Sequence, residues 1–240
     1  MKQKKIIIVS RFNNVPSKSK IALTKKWIDT RMDIFMNYTL HSFKAQTNQD
    51  FTSYLLYNKT TEDLVQNSIS RYKKLPENVK FVSSNLYSVK LKEEIKDFEY
   101  VYLVRIDCDD MYHISYVQQL ADFEPKSETK AIINQKGYLY DSVGKRLADY
   151  FSKSPPFYTL IYKSKEYING LRYTLPGGHP GAIQLPHEII DKRNFVYHVH
   201  STNTPNNTTD KFYHRIHNKG LRLITKDVNK INKILENYVG

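Results

Sequence analysis

Three carboxylates stand within four residues, Asp107-Cys-Asp109-Asp110, at the end of an apolar run from Tyr100 to Ile106. Like charges at that density repel unless a cation sits among them. Hard divalent ions take oxygen ligands, and Mg²⁺ commonly uses one or two carboxylates plus substrate phosphates. A spacing of two lets Asp107 and Asp109 share a face, which suits one ribose contact and one metal contact. The alternative is an acidic loop capping a helix from about His113, where Asp109 or Asp110 would favour the helix dipole. His198-Val-His200 is a second candidate: period-two alternation turns both imidazoles to one side of a strand, where they can meet one metal or simply hydrogen-bond in a polar patch. Pro176-Gly-Gly-His-Pro-Gly181 offers backbone amides without side-chain obstruction, as a ligand loop or an ordinary turn. Arg11, just past the first strand, is placed to grip a diphosphate bidentately, with Lys5 nearby; the alternative is a solvated loop charge. Cys108, flanked by carboxylates that raise its thiol pKa, reads as a small filler rather than a nucleophile.

The elements that must position these groups follow from periodicity. Ile6 to Val9 is a continuous apolar run, the pattern of a strand buried on both faces of a parallel sheet. Trp27, Ile28, Ile34, Phe35 and Tyr38 recur at helical spacing between Thr24 and Phe43. Strands are expected at Phe51–Tyr57, Val79–Ser83 and Tyr100–Ile106. Between them lie a helix from about Thr61, capped by Thr60 or Thr61, and a brief helix over Leu91–Lys96. This β-α-β-α-β alternation predicts a mostly parallel, doubly wound sheet, and ligands bind beyond the carboxyl ends of such strands. The acidic cluster sits at one of those ends. In the second half, Ala131–Asn134 and Tyr138–Tyr140 flank Gln135-Lys-Gly137 like a hairpin. Phe157–Tyr162 and Phe195–His200 read as strands, Asn203–Thr209 as a polar loop and Leu221–Ile224 as a short strand. An amphipathic helix over Thr225–Tyr238 turns Val228, Ile231, Leu235 and Tyr238 inward.

Composition bounds the function. With 37 Lys and Arg against 24 Asp and Glu, the 240-residue chain carries +13, a field that attracts nucleotide diphosphates, nucleic acid or anionic polymers and headgroups. Nineteen tyrosines suit base stacking and sugar stacking alike, although AT-rich codon usage would inflate Lys, Asn, Ile and Tyr without functional meaning. The basic stretch from Lys211 through Arg215, Lys219, Arg222, Lys226 and Lys230 to Lys233 suits a polyanionic acceptor or a membrane surface, or a solvated helix face. One cysteine excludes an internal disulfide framework and any multi-cysteine zinc site. No apolar run approaches the ~20 residues of a membrane span, and the short run after the basic start is no signal peptide. The expected location is therefore cytoplasmic, or peripheral at a membrane.

The order of several segments resembles the GT-A glycosyltransferases, and within them the putative rhamnosyltransferase family. Ser10-Arg-Phe-Asn13 follows the first strand. Trp27 and Arg31 lie on the first helix, ahead of Leu40-His-Ser42 and Gln46, and Gln49-Asp-Phe51 opens the second strand. Arg105-Ile-Asp-Cys-Asp-Asp-Met111, then Tyr116-Val-Gln-Gln119, looks like that fold's DXD segment. The resemblance covers about residues 5 to 205. It implies that Asp107 and Asp109 bind a donor diphosphate through Mn²⁺ or Mg²⁺, that His200 (or His198) completes the metal shell, and that Gly177-Gly178 lies near donor and acceptor. Arg11 and Arg105 join the donor-binding set. Glu188 is the nearest match to the acceptor base, with Asp110 the other candidate catalytic carboxylate; the poor match at Glu188 leaves inverting against retaining chemistry open.

The expectation is a GT-A-like α/β fold with a mostly parallel Rossmann-like sheet flanked by helices and a mixed acceptor-side half. Residues 1–240 form a single domain: 1–120 as the nucleotide-sugar-binding half, 121–205 as the acceptor half and 206–240 as a basic extension. The activity is metal-dependent transfer of a sugar from a nucleotide-sugar donor to an acceptor hydroxyl. A cell-wall polymer, a lipid-linked glycan or modified DNA would each be a polyanionic acceptor. The rivals are a nucleic-acid-binding or DNA-modifying protein and a metal-dependent nucleotidyltransferase.

Overall fold

The computed structural model describes residues 3–14, 20–200, 212, 216 and 220–240. Strand β1 (Lys4–Arg11) buries Ile6, Ile7 and Ile8, as a run with no polar face must. It lies in a seven-stranded sheet of order β10-β6-β9-β4-β1-β2-β3. Here β2 is Thr52–Tyr57, β3 Val79–Ser83 and β4 Tyr100–Arg105, and β1, β2, β3 and β4 pair in parallel. The crossovers run through α1 (Lys25–Ile34), α2 (Leu40–Lys44), α3 (Glu62–Ile69) and α4 (Tyr87–Ile95). The chain moves outward from β1 to β3 and then returns to the other side of β1 to lay down β4. That reversal leaves a crevice beyond the carboxyl ends of β1 and β4, where open α/β sheets take their ligands.

After β4 the chain makes β5 (Met111–Tyr112), α5 (Tyr116–Asp122), β6 (Ala131–Ile133), β7 (Lys136–Asp141), β8 (Arg146–Phe151), β9 (Tyr158–Lys163), α6 (Ser164–Ile168), β10 (His187–Ile189), β11 (Arg193–Val199), β12 (Leu223–Thr225) and α7 (Val228–Val239). The expected hairpin around Gln135-Lys-Gly137 is absent. β6 joins the large sheet, antiparallel to β9, whereas β7 joins a five-stranded sheet of order β12-β8-β7-β11-β5. The true hairpin is β7–β8; its turn carries Lys145 at φ 48°, with Asp141 accepting from the Val143 and Gly144 amides. The two apolar strands flanking Gly137 thus serve different sheets, a choice of partner that local pattern does not encode.

Smaller corrections follow from caps. Thr61 is the N-cap residue of α3, as expected, but its side chain makes no capping bond; the side chain of Asn58 accepts from the Thr60 amide at the start of the preceding turn. Asp227 caps α7, so Val228 at its first turn is exposed while Ile231, Leu235 and Tyr238 are buried. Residues 25–44 form one continuous helical rod interrupted by a π turn at Phe35–Thr39.

The largest apolar cluster runs from Ile6 to Leu221 and crosses the 120/121 boundary. Phe157 and Phe195 stack at 3.8 Å, and Tyr112 and Tyr116 at 4.1 Å. Tyr54, Tyr102, Tyr112, Tyr116, Tyr162 and Tyr238 are buried, so much of the aromatic excess serves packing rather than base or sugar stacking. Among the described residues no helix is long and apolar enough to cross a membrane.

Candidate functional site

The acidic segment is a turn, closed by the Asp110 amide donating to the Asp107 carbonyl at 3.1 Å. The turn divides the carboxylates. The Asp107 side chain remains 39% exposed, whereas Cys108, Asp109 and Asp110 point inward. Asp107 accepts from Arg105 Nη2 at 3.0 Å, and Arg105 Nη1 donates to the Pro156 carbonyl at 2.8 Å. Asp109 Oδ2 accepts from Arg31 Nη1 at 3.0 Å and lies 2.9 Å from His200 Nε2. Asp110 Oδ1 accepts from the His198 amide at 2.9 Å.

Sheet register explains how residues some 90 positions apart meet. β11 pairs antiparallel with β5, Val196 opposite Met111; continuing that register by two residues brings His198 level with Asp109. His198 is fully buried. Its Nδ1 lies 3.1 Å from the Asp109 carbonyl and its Nε2 2.8 Å from Ser142 Oγ. Tyr38 and Tyr140 pack against its ring. The helical rod supplies the third wall: Arg31, Tyr38 and Ser42, spaced seven and four, share one face and touch Asp109, His198 and Tyr112 respectively.

The polar residues of the sequence resemblance act mainly as fasteners. Ser42 Oγ donates to the Tyr112 carbonyl and accepts from its amide. Gln46 donates to the His113 carbonyl and accepts from the Val117 amide. Asn13 ties the loop after β1 to Ala22, Asn58 and Thr61. Each bond satisfies buried backbone or hydroxyl groups that would otherwise carry a desolvation penalty, and together they fix the acidic turn between β1 and the first helix.

The electrostatics separate the three aspartates. Burial pushes Asp109 up, but Arg31 and the His200 contact outweigh it and hold its pKa at about 2. Asp110 is driven well above the usual carboxylate range by burial, then by Asp109 and Asp107. Asp107 is raised by burial against the opposing pull of Arg105. Burial lowers His198 to about 4, with the neighbouring His200 adding to the effect. Burial lifts Cys108 to about 12, the filler expected of it. Burial works against the charge of Arg31, yet Cys108 and Asp109 reverse that and raise it; the guanidinium also lies over the Trp27 ring at 5.4 Å.

The remaining expected residues divide. Arg11 is exposed at the carboxyl end of β1. With Arg105 and Asp107 it acts electrostatically on the Tyr158 phenol, whose pKa burial raises first. Gly177 and Gly178 take φ of 71° and 82°, and His179 beside them acts electrostatically on Asp107. Lys5 instead faces Glu94 at 3.6 Å and Asp50 at 3.8 Å. Glu188 does not join the cluster: on edge strand β10, its carboxylate accepts from Thr129 Oγ1 at 2.7 Å and the Lys126 amide at 2.9 Å. The base role expected of it conflicts with this capping geometry. Asp110 is likewise turned inward and occupied. Ser201–Thr204, the Asn203–Thr209 loop, Lys211, Arg215 and Lys219 lie outside the described residues.

Sequence reasoning named Arg31 among the residues that carry the family resemblance but gave it no site role; Tyr158 carried no signal, being one aromatic among many.

Asp109 and His200 are the side chains that could hold a divalent ion, as an open shell. Asp109 Oδ2 and His200 Nε2 converge on one point, and the single Nε2 cannot both accept from Arg31 Nη1 at 3.2 Å and donate to Asp109. With Nε2 as an acceptor, the cation that His200 and Asp109 share is the Arg31 guanidinium. No group of three or more His, Cys, Asp or Glu side chains among the described residues makes a complete cage; an open shell leaves room for substrate phosphate oxygens.

Residues 10–150 match the family described as "Putative rhamnosyl transferase". No curated protein matches the chain. Among solved structures, TarS residues 1–349 from S. aureus in complex with UDP-GlcNAc is similar at 14% identity over 89% of this chain and 64% of that one, with a TM-score of 0.46. The galactosyltransferase LgtC, in complex with donor and acceptor sugar analogs, aligns at 11% identity over 70% and 60%, TM-score 0.36. The 4-diphosphocytidyl-2C-methyl-D-erythritol synthase from Anaerococcus prevotii aligns at 12% over 91% and 96%, TM-score 0.36. The chain thus spans less than two thirds of the TarS and LgtC chains.

Proposed function

Because this chain belongs to the Putative rhamnosyl transferase family, we propose that it moves a sugar from a nucleotide-sugar donor to an acceptor hydroxyl, with the donor diphosphate at the carboxyl ends of β1 and β4. The observation that carries the reading is the meeting of Asp109 with His200 at 2.9 Å beside the half-exposed Asp107, at the reversal point of a parallel sheet.

In this reading Asp109 and His200 would hold Mn²⁺ or Mg²⁺, and Asp107 would face the ribose or the same ion. The ion, when bound, supplies Lewis-acid charge neutralisation for the departing nucleoside diphosphate. Arg105 and Arg11 grip diphosphate oxygens, and Arg105 is aimed by its bond to the Pro156 carbonyl. Arg31 keeps Asp109 ionised and oriented. The Gly177-Gly178 backbone closes over the sugar. Residues 1–120 contribute most donor contacts, residues 121–205 the acceptor side and residues 206–240 a basic extension toward a polyanionic acceptor, in the cytoplasm or at a membrane face.

The test is a panel of UDP-, GDP- and dTDP-sugars incubated with the chain and Mn²⁺ or Mg²⁺. Release of nucleoside diphosphate, abolished in Asp109→Asn, supports transfer. Release of pyrophosphate from a nucleoside triphosphate and a sugar phosphate would instead make the chain a nucleotidyltransferase. Polynucleotide binding indifferent to metal, with no turnover, would make the aspartates structural.

A further inference from the structure

The positive charge has a second concentration, away from the acidic turn. Where β11 begins, a cleft of about 620 Å³ opens between that strand, α5 and α7. Lys192, Arg193 and Lys233 line it, and no carboxylate side chain does. Asp149 engages Arg193 at 2.6 Å, and the guanidinium lies over the Tyr138 ring. Among the described residues neither Lys192 nor Lys233 has an ion-pair partner, so two ammonium groups stand at the rim with their charge uncompensated.

The floor of the cleft is built rather than incidental. Tyr238 is 2% exposed and donates to the Arg193 carbonyl at 2.6 Å, locking α7 onto the strand. Asn194 donates to Gln119 and Asn134, both at 2.9 Å, which fixes the first residues of β11. His113 packs edge-on against Tyr238 at 5.4 Å. The Ser115 amide donates to His113 Nδ1 at 3.2 Å, so a neutral ring carries its proton on Nε2 and offers a donor. Burial first, and then Lys192, lowers the His113 pKa, in keeping with that neutral form. The half-buried Tyr138 ring, packed edge-on against Tyr238 and covered by the Arg193 guanidinium, forms part of the cleft wall.

Rim ammonium groups, an imidazole N–H donor and an aromatic wall, with no carboxylate among the lining side chains and the nearby Asp149 held by Arg193, form a recognition set for a phosphate ester on a small polyol or sugar. The cleft is far larger than one phosphate group. Period-two alternation also puts Asn194, Val196 and His198 on one face of β11. From Asn194 to His198, which lies level with Asp109, the strand advances roughly 13 Å, so the cleft is distinct from the acidic turn yet connected to it by a rigid element. We propose that this cleft is a second binding site, for the phosphate ester of a polyol or sugar. The proposal needs only the cleft and does not rest on the transfer reaction.

The experiment is calorimetric titration of the full chain with sn-glycerol 3-phosphate, with glycerol as the uncharged control and phosphatidylglycerol vesicles as the lipid arm. The wild-type chain should bind glycerol 3-phosphate and not glycerol. Lys192→Gln/Lys233→Gln should weaken that binding about 10-fold, since two solvent-facing charge contacts are lost, while Lys192→Arg/Lys233→Arg, which keeps the charge, should stay near wild type. Circular dichroism checks that these exposed substitutions leave the fold intact. The same titration on Asp109→Asn should be unchanged, which separates this cleft from the donor site whatever becomes of the transfer reading. No binding of glycerol 3-phosphate, or equal binding by the Gln double variant, overturns the proposal. Binding to the vesicles but not to the soluble ester also overturns it and points to a lipid surface.

Discussion

Arg31→Met keeps most of the side-chain volume of Arg31 and removes its charge, leaving Asp109 buried without its main cationic partner. The pair is 3.0 Å long, with side-chain exposures of 13% for Arg31 and 9% for Asp109, well shielded from water and salt. Breaking such a pair from one side typically costs about 3–5 kcal/mol, because the remaining charge stays uncompensated. Linkage gives a second, coarser figure. Asp109 is lowered from 3.8 to about 2, with Arg31 the largest lowering cause and His200 adding to it, which corresponds to roughly 2 kcal/mol. The second figure is the smaller because burial has already been subtracted from it. The sign follows from a depressed folded pKa: this stabilisation is present above about pH 4 and is lost as pH falls through about 2. Arg31→Met should therefore unfold about 6–20 °C lower than wild type for a chain of this size, followed by circular dichroism with urea melts at pH 7. A double-mutant cycle supplies the control: in an Asp109→Asn background the same substitution should cost much less. A loss under about 1 kcal/mol, typical of a solvated pair, or an equal loss in both backgrounds, refutes the reasoning that Arg31 is the resident counter-charge of Asp109.

Three further outcomes follow from the same geometry. His198 titrates near 4 in the folded chain against an ordinary value of about 6.5, so up to about 3 kcal/mol of stability, fully present above pH 6.5, should drain away as pH falls toward 4; His198→Gln should flatten that part of the pH–stability curve, and an unchanged slope would show another group is responsible. Gly178 holds φ 82° and ψ −142°, and an added Cβ would meet nothing within 4 Å, so Gly178→Ala should cost about 1–3 kcal/mol through backbone strain alone; a variant as stable as wild type in thermal melts would mean the loop relaxes freely. Glu188→Gln should leave turnover within about 2-fold, because its carboxylate caps the Lys126–Thr129 turn, whereas a drop of 10² or more, the usual worth of a general base, would restore its catalytic role.

The sequence by itself determined the parallel core and the location of the acidic turn. Ile6–Val9 and Tyr100–Ile106 have no polar face, so they can only be interior strands, and a carboxylate cluster at such a strand's end has few neighbours to choose from. It also set Gly177 and Gly178, whose positive φ values few other residues adopt cheaply. What the tertiary structure alone decided is partnership. Gly137 lies opposite Phe195 because β7 and β11 pair in parallel, and an added Cβ would come within 2.4 Å of the Phe195 carbonyl. Nothing near Gly137 in the chain says that its strand leaves the sheet that holds β6. Likewise Arg31, Asp109 and His200 meet across 78 and 91 residues. Helical period puts Arg31 on a face, strand period puts His200 on a side, and only the register of β11 on β5 brings the two to the same carboxylate. Local pattern fixes which way a side chain points; which other element waits there is set by how the sheets close around a shared core.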